Sequence, residues 1–195
     1  MNSHPPIVLA SSSAYRKALL ARLDIPFKTI SPDIDERPEP GEAPPATALR
    51  LAQAKARKAA DHEAAALIIG SDQVAVMDGV VLGKPGHHAA AAAQLRAMSG
   101  RTVVFHTALC LLNAVNGRLQ TANIPTTVRM RKLDDRQIER YLRHDQPYDC
   151  AGSAKIEALG IALVENIASD DPTALIGLPL IALVTQLRNE GVILP

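Results

Sequence analysis

Two short apolar runs, I-V-L-A at 7–10 and L-I-I at 67–69, constrain this chain most, because neither alternates between apolar and polar residues. A strand with one wet face shows that alternation, so a run without it reads as a strand buried on both sides. Helices are the natural cover. Leu19, Leu20 and Leu23 line one face of a helix after the first run, with Ser11, Ser12 or Ser13 placed to cap it. Further helices are expected over 46–61, over 88–98 with Gly100 as its stop, from Asp134-Asp135 to 143, and over 179–190. Strands are expected at 27–30, 102–112, 119–130 and 161–167. Asp78-Gly79 sits between V-A-V-M and V-V-L as a two-residue hairpin signal, and N-A-V-N-G at 113–117 marks a second hairpin. Hairpins mixed with strand–helix units imply an α/β fold, a mixed twisted sheet flanked by helices, and the length fits one domain over residues 1–195 or two closely fused lobes.

Composition narrows the class. Aromatics are 3% of the 195 residues and Trp is absent, so the core must be built from Ala, Leu, Ile and Val. A net charge of +1 argues against a broad surface for nucleic acid or an anionic membrane, so any anionic ligand needs a local cluster of cations. Two cysteines, Cys110 and Cys150, are too few for a disulfide framework and suit a reducing compartment. No signal peptide is evident, and the longest apolar segment, 174–184, is broken by Gly177 and Pro179, well short of the ~20 residues a membrane span needs. A soluble cytoplasmic protein is the expectation. The sequence does not fix an oligomeric state; a homodimer is one assembly open to it.

The chemistry gathers in four places. S-S-S-A-Y-R at 11–16 stands between a strand and a helix, where backbone amides and the helix dipole favour an anion. Ser11 and Ser13 add hydroxyls and Arg16 a guanidinium fork; the plain alternative is a serine cap beside a surface arginine. G-S-D-Q at 70–73 puts Asp72 at the expected end of a strand, as a proton acceptor, a cation ligand, or a turn former. Lys84, in G-K-P-G after the hairpin, would return near Asp72 or stand solvated. The acidic, proline-rich stretch 31–45 carries Asp35 and Glu36, solvated or held over a phosphate site to bind a divalent cation. Arg50, Gln53 and Lys55 align only partly on one helix face, so surface helix is the default there. Lys155 and Glu157 fall on one side of any extended segment. His87-His88 lacks a third metal ligand, and Cys150 lacks a neighbouring His.

Together, L-A-S-S-S-A-Y-R-K-A-L-L, I-I-G-S-D-Q-V, L-G-K-P, D-C-A-G-S-A-K-I-E and G-L-P-L resemble the Maf family of nucleoside triphosphate pyrophosphatases, in order and spacing, from residue 7 to about 191. The resemblance implies a mixed α/β sheet with a cleft between two lobes. It also implies hydrolysis of a small-molecule nucleotide to monophosphate and pyrophosphate with a divalent cation, Mg²⁺, Mn²⁺ or Co²⁺. On the matching motifs, Asp72 takes the place of the proton acceptor. Ser11, Ser13, Arg16, Lys55 and Lys84 take the phosphate-binding positions, and Glu36 with Asp72 the metal positions. Tyr15, Gln73 and Glu157 take the specificity positions. S-D-Q and C-A-G-S…E look like the YceF branch, which acts on 7-methyl-GTP, implying removal of modified nucleotides from the pool. A dTTP/UTP pyrophosphatase and a non-catalytic nucleotide-binding regulator linked to cell division are the alternatives. Physics favours the branch: 7-methylguanine is cationic and presents N–H donors, which a carboxylate such as Glu157 accepts. Tyr15 can stack on it for a cation–π gain of ~0.5–2 kcal/mol.

Overall fold

All four residues of the first apolar run are buried and form β1 (Ile7–Ala10) in the computed structural model, which describes residues 4–195. The other elements are α1 (Ala14–Ala21), β2 (Phe27–Ile30), α2 (Pro44–Ala60), β3 (Leu67–Met77), β4 (Val80–Leu82) and α3 (His88–Met98). They are followed by β5 (Thr102–Asn113), β6 (Leu119–Met130), α4 (Asp135–Asp145), β7 (Val164–Ser169) and α5 (Leu180–Asn189). β1 is parallel to both its neighbours, its last residue Ala10 lying opposite Ile30 of β2 and Gly70 of β3. The sheet runs β2-β1-β3-β5-β6-β7, with β4 antiparallel on β3 and β7 antiparallel on β6. The architecture is α/β with a mixed sheet, as the sequence implied. No helix among the described residues is long and apolar enough to cross a membrane.

The chain forms two compact units. The first comprises the residues up to Asp72, Thr107–Ile124 and Asp171–Pro195. Its core joins Ile7, Leu9, Leu19, Leu20, Leu67 and Ile69 to Leu109, Leu111, Leu178, Leu183 and Leu187. Each such side chain contributes roughly 1.5–3 kcal/mol on burial. α2 begins at Pro44, earlier than the alanine pattern suggests, because a proline at the first helical turn loses no hydrogen bond there. Its buried face is Thr47, Ala48, Leu51, Ala52, Lys55, Ala56 and Ala59, small except for Leu51 and Lys55. That smallness lets the helix backbone rest on β3, and a Cβ on Gly70 would lie only 2.1 Å from the Ala52 carbonyl oxygen.

The second unit comprises Gln73–His106 and Pro125–Asp170, with Leu95, Met98, Phe105, Ile138, Tyr141 and Leu142 buried. Asp78 and Gly79 close the β3–β4 hairpin at φ 48° and 81°, the pair of positive angles that a primed two-residue turn demands. Asp134 caps α4 in a reciprocal box with Gln137.

Three local expectations change. β3 does not stop before G-S-D-Q but runs through it to Met77, so Asp72 is interior to a strand. The polar residues are tolerated there because the buried Ser71 hydroxyl lies 2.8 Å from the Ala108 carbonyl oxygen and 2.9 Å from that of Gly177. The strand expected at 161–167 starts only at Val164, after a 3-10 turn over Leu159–Leu163. Gly160 permits that turn: its N–H donates to Asp145 Oδ2, and any Cβ there would sit 2.3 Å from the Lys155 carbonyl oxygen. Glu157 consequently lies in a turn, so the same-side argument for Lys155 and Glu157, which assumed extended chain, does not hold.

Candidate active site

The serine-rich stretch turns out of β1 straight into α1. Ser13 caps the helix, its Oγ accepting the Arg16 N–H at 3.4 Å, and the buried Ser11 Oγ accepts the Ser13 N–H at 3.1 Å. Two amides that the sequence left open for an anion are thus taken by serine oxygens. Besides the remaining amides, this terminus offers a phosphate the serine hydroxyl protons and Arg16. The Arg16 Nε donates to the Gly177 carbonyl oxygen at 2.8 Å, the carbonyl that Ser71 also reaches. Gly177 has φ 119°, and a Cβ there would stand 3.4 Å from Arg16 Nε, so the G-L-P loop needs glycine to support the arginine. Burial pushes the Arg16 guanidinium below its ordinary pKa, while the charges of Asp72 and Glu36 pull it back up. Among the described residues its two terminal nitrogens form no hydrogen bond.

Lys55 is buried, against the surface-helix expectation. Its Nζ lies 2.6 Å from Asp72 Oδ1 and 2.7 Å from Glu36 Oε1. The close approach of α2 to Gly70 brings this about, since Lys55 stands one turn beyond Ala52 and Asp72 two residues beyond Gly70. A buried ammonium without carboxylate partners would cost several kcal/mol. Asp72 Oδ2 accepts no hydrogen bond from the described residues, which leaves one carboxylate oxygen available to water. Asp72 and Lys55 are nearly shielded from solvent, whereas the Glu36 side chain is 55% exposed. Asp35 is not part of this cluster; it pairs with Arg37 at the surface.

The segment carrying Glu36 has a fastening that the sequence reading missed. Arg50 forks onto Glu42 (Nε to Oε1 2.7 Å, Nη2 to Oε2 2.8 Å), and its Nη2 also donates to the Arg37 carbonyl oxygen at 3.0 Å. A glutamate just before the helix with an arginine eight residues on was the available signal. Its meaning depended on how the proline-rich chain folds back.

The remaining candidates, Tyr15 apart, belong to the second unit. Lys84 is exposed in the loop between β4 and α3, with no ion pair among the described residues. Gln73 is half-buried and Glu157 exposed. Gln94 of α3, also missed, donates to the Gly83 carbonyl oxygen at 2.8 Å and accepts from Ser153 Oγ at 2.5 Å, tying the Lys84 loop to A-G-S-A-K-I-E. His88 bridges Tyr148 and Glu139, and His87 caps α3, so the histidine pair has structural partners. Tyr15, in the first unit, is half-buried in the opening turn of α1.

No cluster of three or more His, Cys, Asp or Glu among the described residues could hold a metal ion. Glu36 and Asp72 nonetheless converge on a single cationic atom, Lys55 Nζ. That pair of hard oxygen donors fits a divalent cation completing its shell with water and phosphate oxygens, as Mg²⁺ does, instead of one caged by protein.

A mixed α/β scaffold carrying a serine-capped turn, a supported arginine and a lysine clasped by two carboxylates is equipped to hold a polyanion beside an ionisable oxygen. The chain belongs to the Maf family: the family model, Maf-like protein, matches residues 6–190. It is 60% identical over 188 residues to the 7-methyl-GTP pyrophosphatase of Methylobacillus flagellatus, covering 96% of this chain and 98% of that one. The 7-methyl-GTP pyrophosphatases of Thiobacillus denitrificans and Cupriavidus metallidurans are 59% and 57% identical. Coverage is 96% and 97% of this chain, and 94% and 96% of theirs.

Proposed function

We propose that this protein hydrolyses 7-methyl-GTP to 7-methyl-GMP and pyrophosphate, clearing a modified nucleotide from the pool. The observation that carries the reading is Lys55 held between Asp72 and Glu36, with one Asp72 oxygen left for water. Support for the substrate comes from full-length relatives named for it at 57–60% identity.

In the reaction, a water oxygen attacks the α-phosphorus, the bond to the bridging oxygen breaks, and pyrophosphate leaves. Asp72 Oδ2 orients that water and takes its proton, while Lys55 fixes the carboxylate through Oδ1. Arg16 and Lys55 stabilise charge on the equatorial and leaving oxygens, as fixed cations do in phosphoryl transfer. Lys84 joins that role by its place in L-G-K-P. Ser11 and Ser13 donate hydroxyl protons to phosphate. Glu36 and Asp72 are the residues that would hold a divalent cation, Mg²⁺, Mn²⁺ or Co²⁺, which when bound neutralises triphosphate charge. Tyr15, Gln73 and Glu157 are assigned to the base on their motif positions, Glu157 accepting N–H groups and Tyr15 stacking.

The test is a panel of 7-methyl-GTP, GTP, dTTP, UTP and CTP with each cation, resolving monophosphate plus pyrophosphate from diphosphate plus phosphate. Selective conversion of 7-methyl-GTP to its monophosphate is expected. Preference for dTTP or UTP would overturn the substrate. Binding without turnover of any nucleotide would overturn catalysis.

A further inference from the structure

Between β2 and α2, residues 31–43 contain no helix or strand, yet Glu36 from their middle reaches Lys55. A proline-rich, acidic stretch of this length has no periodic backbone bonding of its own, so its placement must come from side chains. The bonds that supply it converge on α2. Arg50 grips both oxygens of Glu42 and donates to the Arg37 carbonyl, one residue from Glu36. Glu42 Oε2 in turn accepts the Glu39 N–H at 3.2 Å and the Thr47 hydroxyl at 2.9 Å. Its side chain is 11% exposed and that of Arg50 29%, so the pair is sheltered from competing water.

From this arrangement we infer that Arg50 is a positioning residue for the reaction, acting through Glu36. The inference rests on the reading of the site as a pyrophosphatase. One helix carries both Lys55 and, five residues earlier, the guanidinium that brings the partner of Lys55 into place. Three directed bonds from two nitrogens require a planar fork, which a lysine ammonium does not provide.

A double-mutant cycle tests it, with kcat and KM for 7-methyl-GTP and amide hydrogen exchange over 31–43 measured on the full chain. R50A is expected to lower kcat about 10–100-fold, the scale of a small misplacement of a reacting group. It should also raise exchange over 31–43 while leaving β3 unchanged. R50K should restore little. E42Q, which weakens the same fastening from the loop side without altering α2, should act like R50A. In an E36Q background, R50A should change kcat by less than about two-fold, because its route is already cut. Losses from R50A and E36Q that multiply would overturn the inference, as would unchanged exchange in both R50A and E42Q. If the wild-type chain turns over no nucleotide, the functional reading falls. The exchange measurement still decides whether Arg50 holds the segment.

Discussion

At the scale of single residues, Asp72 and Arg16 are each paired with a partner that leaves one side open. Asp72 gives Oδ1 to Lys55 and keeps Oδ2; Arg16 gives Nε to Gly177 and keeps its terminal nitrogens. Asn at position 72 can still accept from Lys55 but cannot take a proton. D72N should therefore retain nucleotide binding by calorimetry while single-turnover hydrolysis drops about 10²–10⁴-fold, the usual worth of a general base. E157Q keeps the size of the side chain and removes the charge that a cationic base prefers. It should lower kcat/KM for 7-methyl-GTP far more than for GTP, and an unchanged ratio between the two would remove Glu157 from base recognition. The residue types at these positions were legible from the motifs. The partners were not: Ser71 and Gly177, 106 positions apart, meet at one carbonyl only after the chain has folded.

Elements decide which of those partners meet. α2 approaches β3 closely because its inward face is mostly alanine and Gly70 has no side chain. G70A would place a methyl 2.1 Å from the Ala52 carbonyl oxygen, which neither backbone can yield cheaply. Loss of about 1–3 kcal/mol of stability is expected, read as a lower urea midpoint, together with reduced turnover as Lys55 is carried off Asp72. The 31–43 segment makes a separate, pH-dependent prediction. The Arg50 fork, with further hydrogen bonds from the Glu39 amide and Thr47, holds the Glu42 carboxyl at about 2, below its ordinary 4.5. A carboxyl depressed in the fold stabilises it above the unfolded value, and that contribution fades as pH falls from about 4.5 to about 2. Carboxyl NMR should find Glu42 titrating near the lower value, with protection of residues 31–43 fading over the same window. R50A should return the midpoint toward 4.5. Strand and helix positions were mostly readable from periodicity. The exceptions, β3 running through G-S-D-Q and the turn before β7, arise where a tertiary hydrogen bond or a backbone contact outweighs the local pattern.

Across the whole molecule, the sequence by itself determined the fold class and the order of elements, and it named candidate residues for the chemistry. These follow from local patterns: unbroken apolar runs, helical spacing, turn pairs such as Asp78-Gly79, and five short motifs in register. It also placed Asp72, Lys55 and Glu36 among the candidates, without saying that they meet. Only the tertiary structure decided that Lys55 is buried between two carboxylates, that Arg50 fastens the segment bearing Glu36, and that Gly177 supports Arg16. It decided, too, that the residues up to Asp72 form one compact unit with Thr107–Ile124 and Asp171–Pro195, while Gln73–His106 and Pro125–Asp170 form another. The physical reason is range. Hydrophobic periodicity and turn geometry act over a few residues and leave their mark in order. An ion pair or a shared carbonyl acts over about 3 Å of space, between residues that the chain alone keeps tens of positions apart.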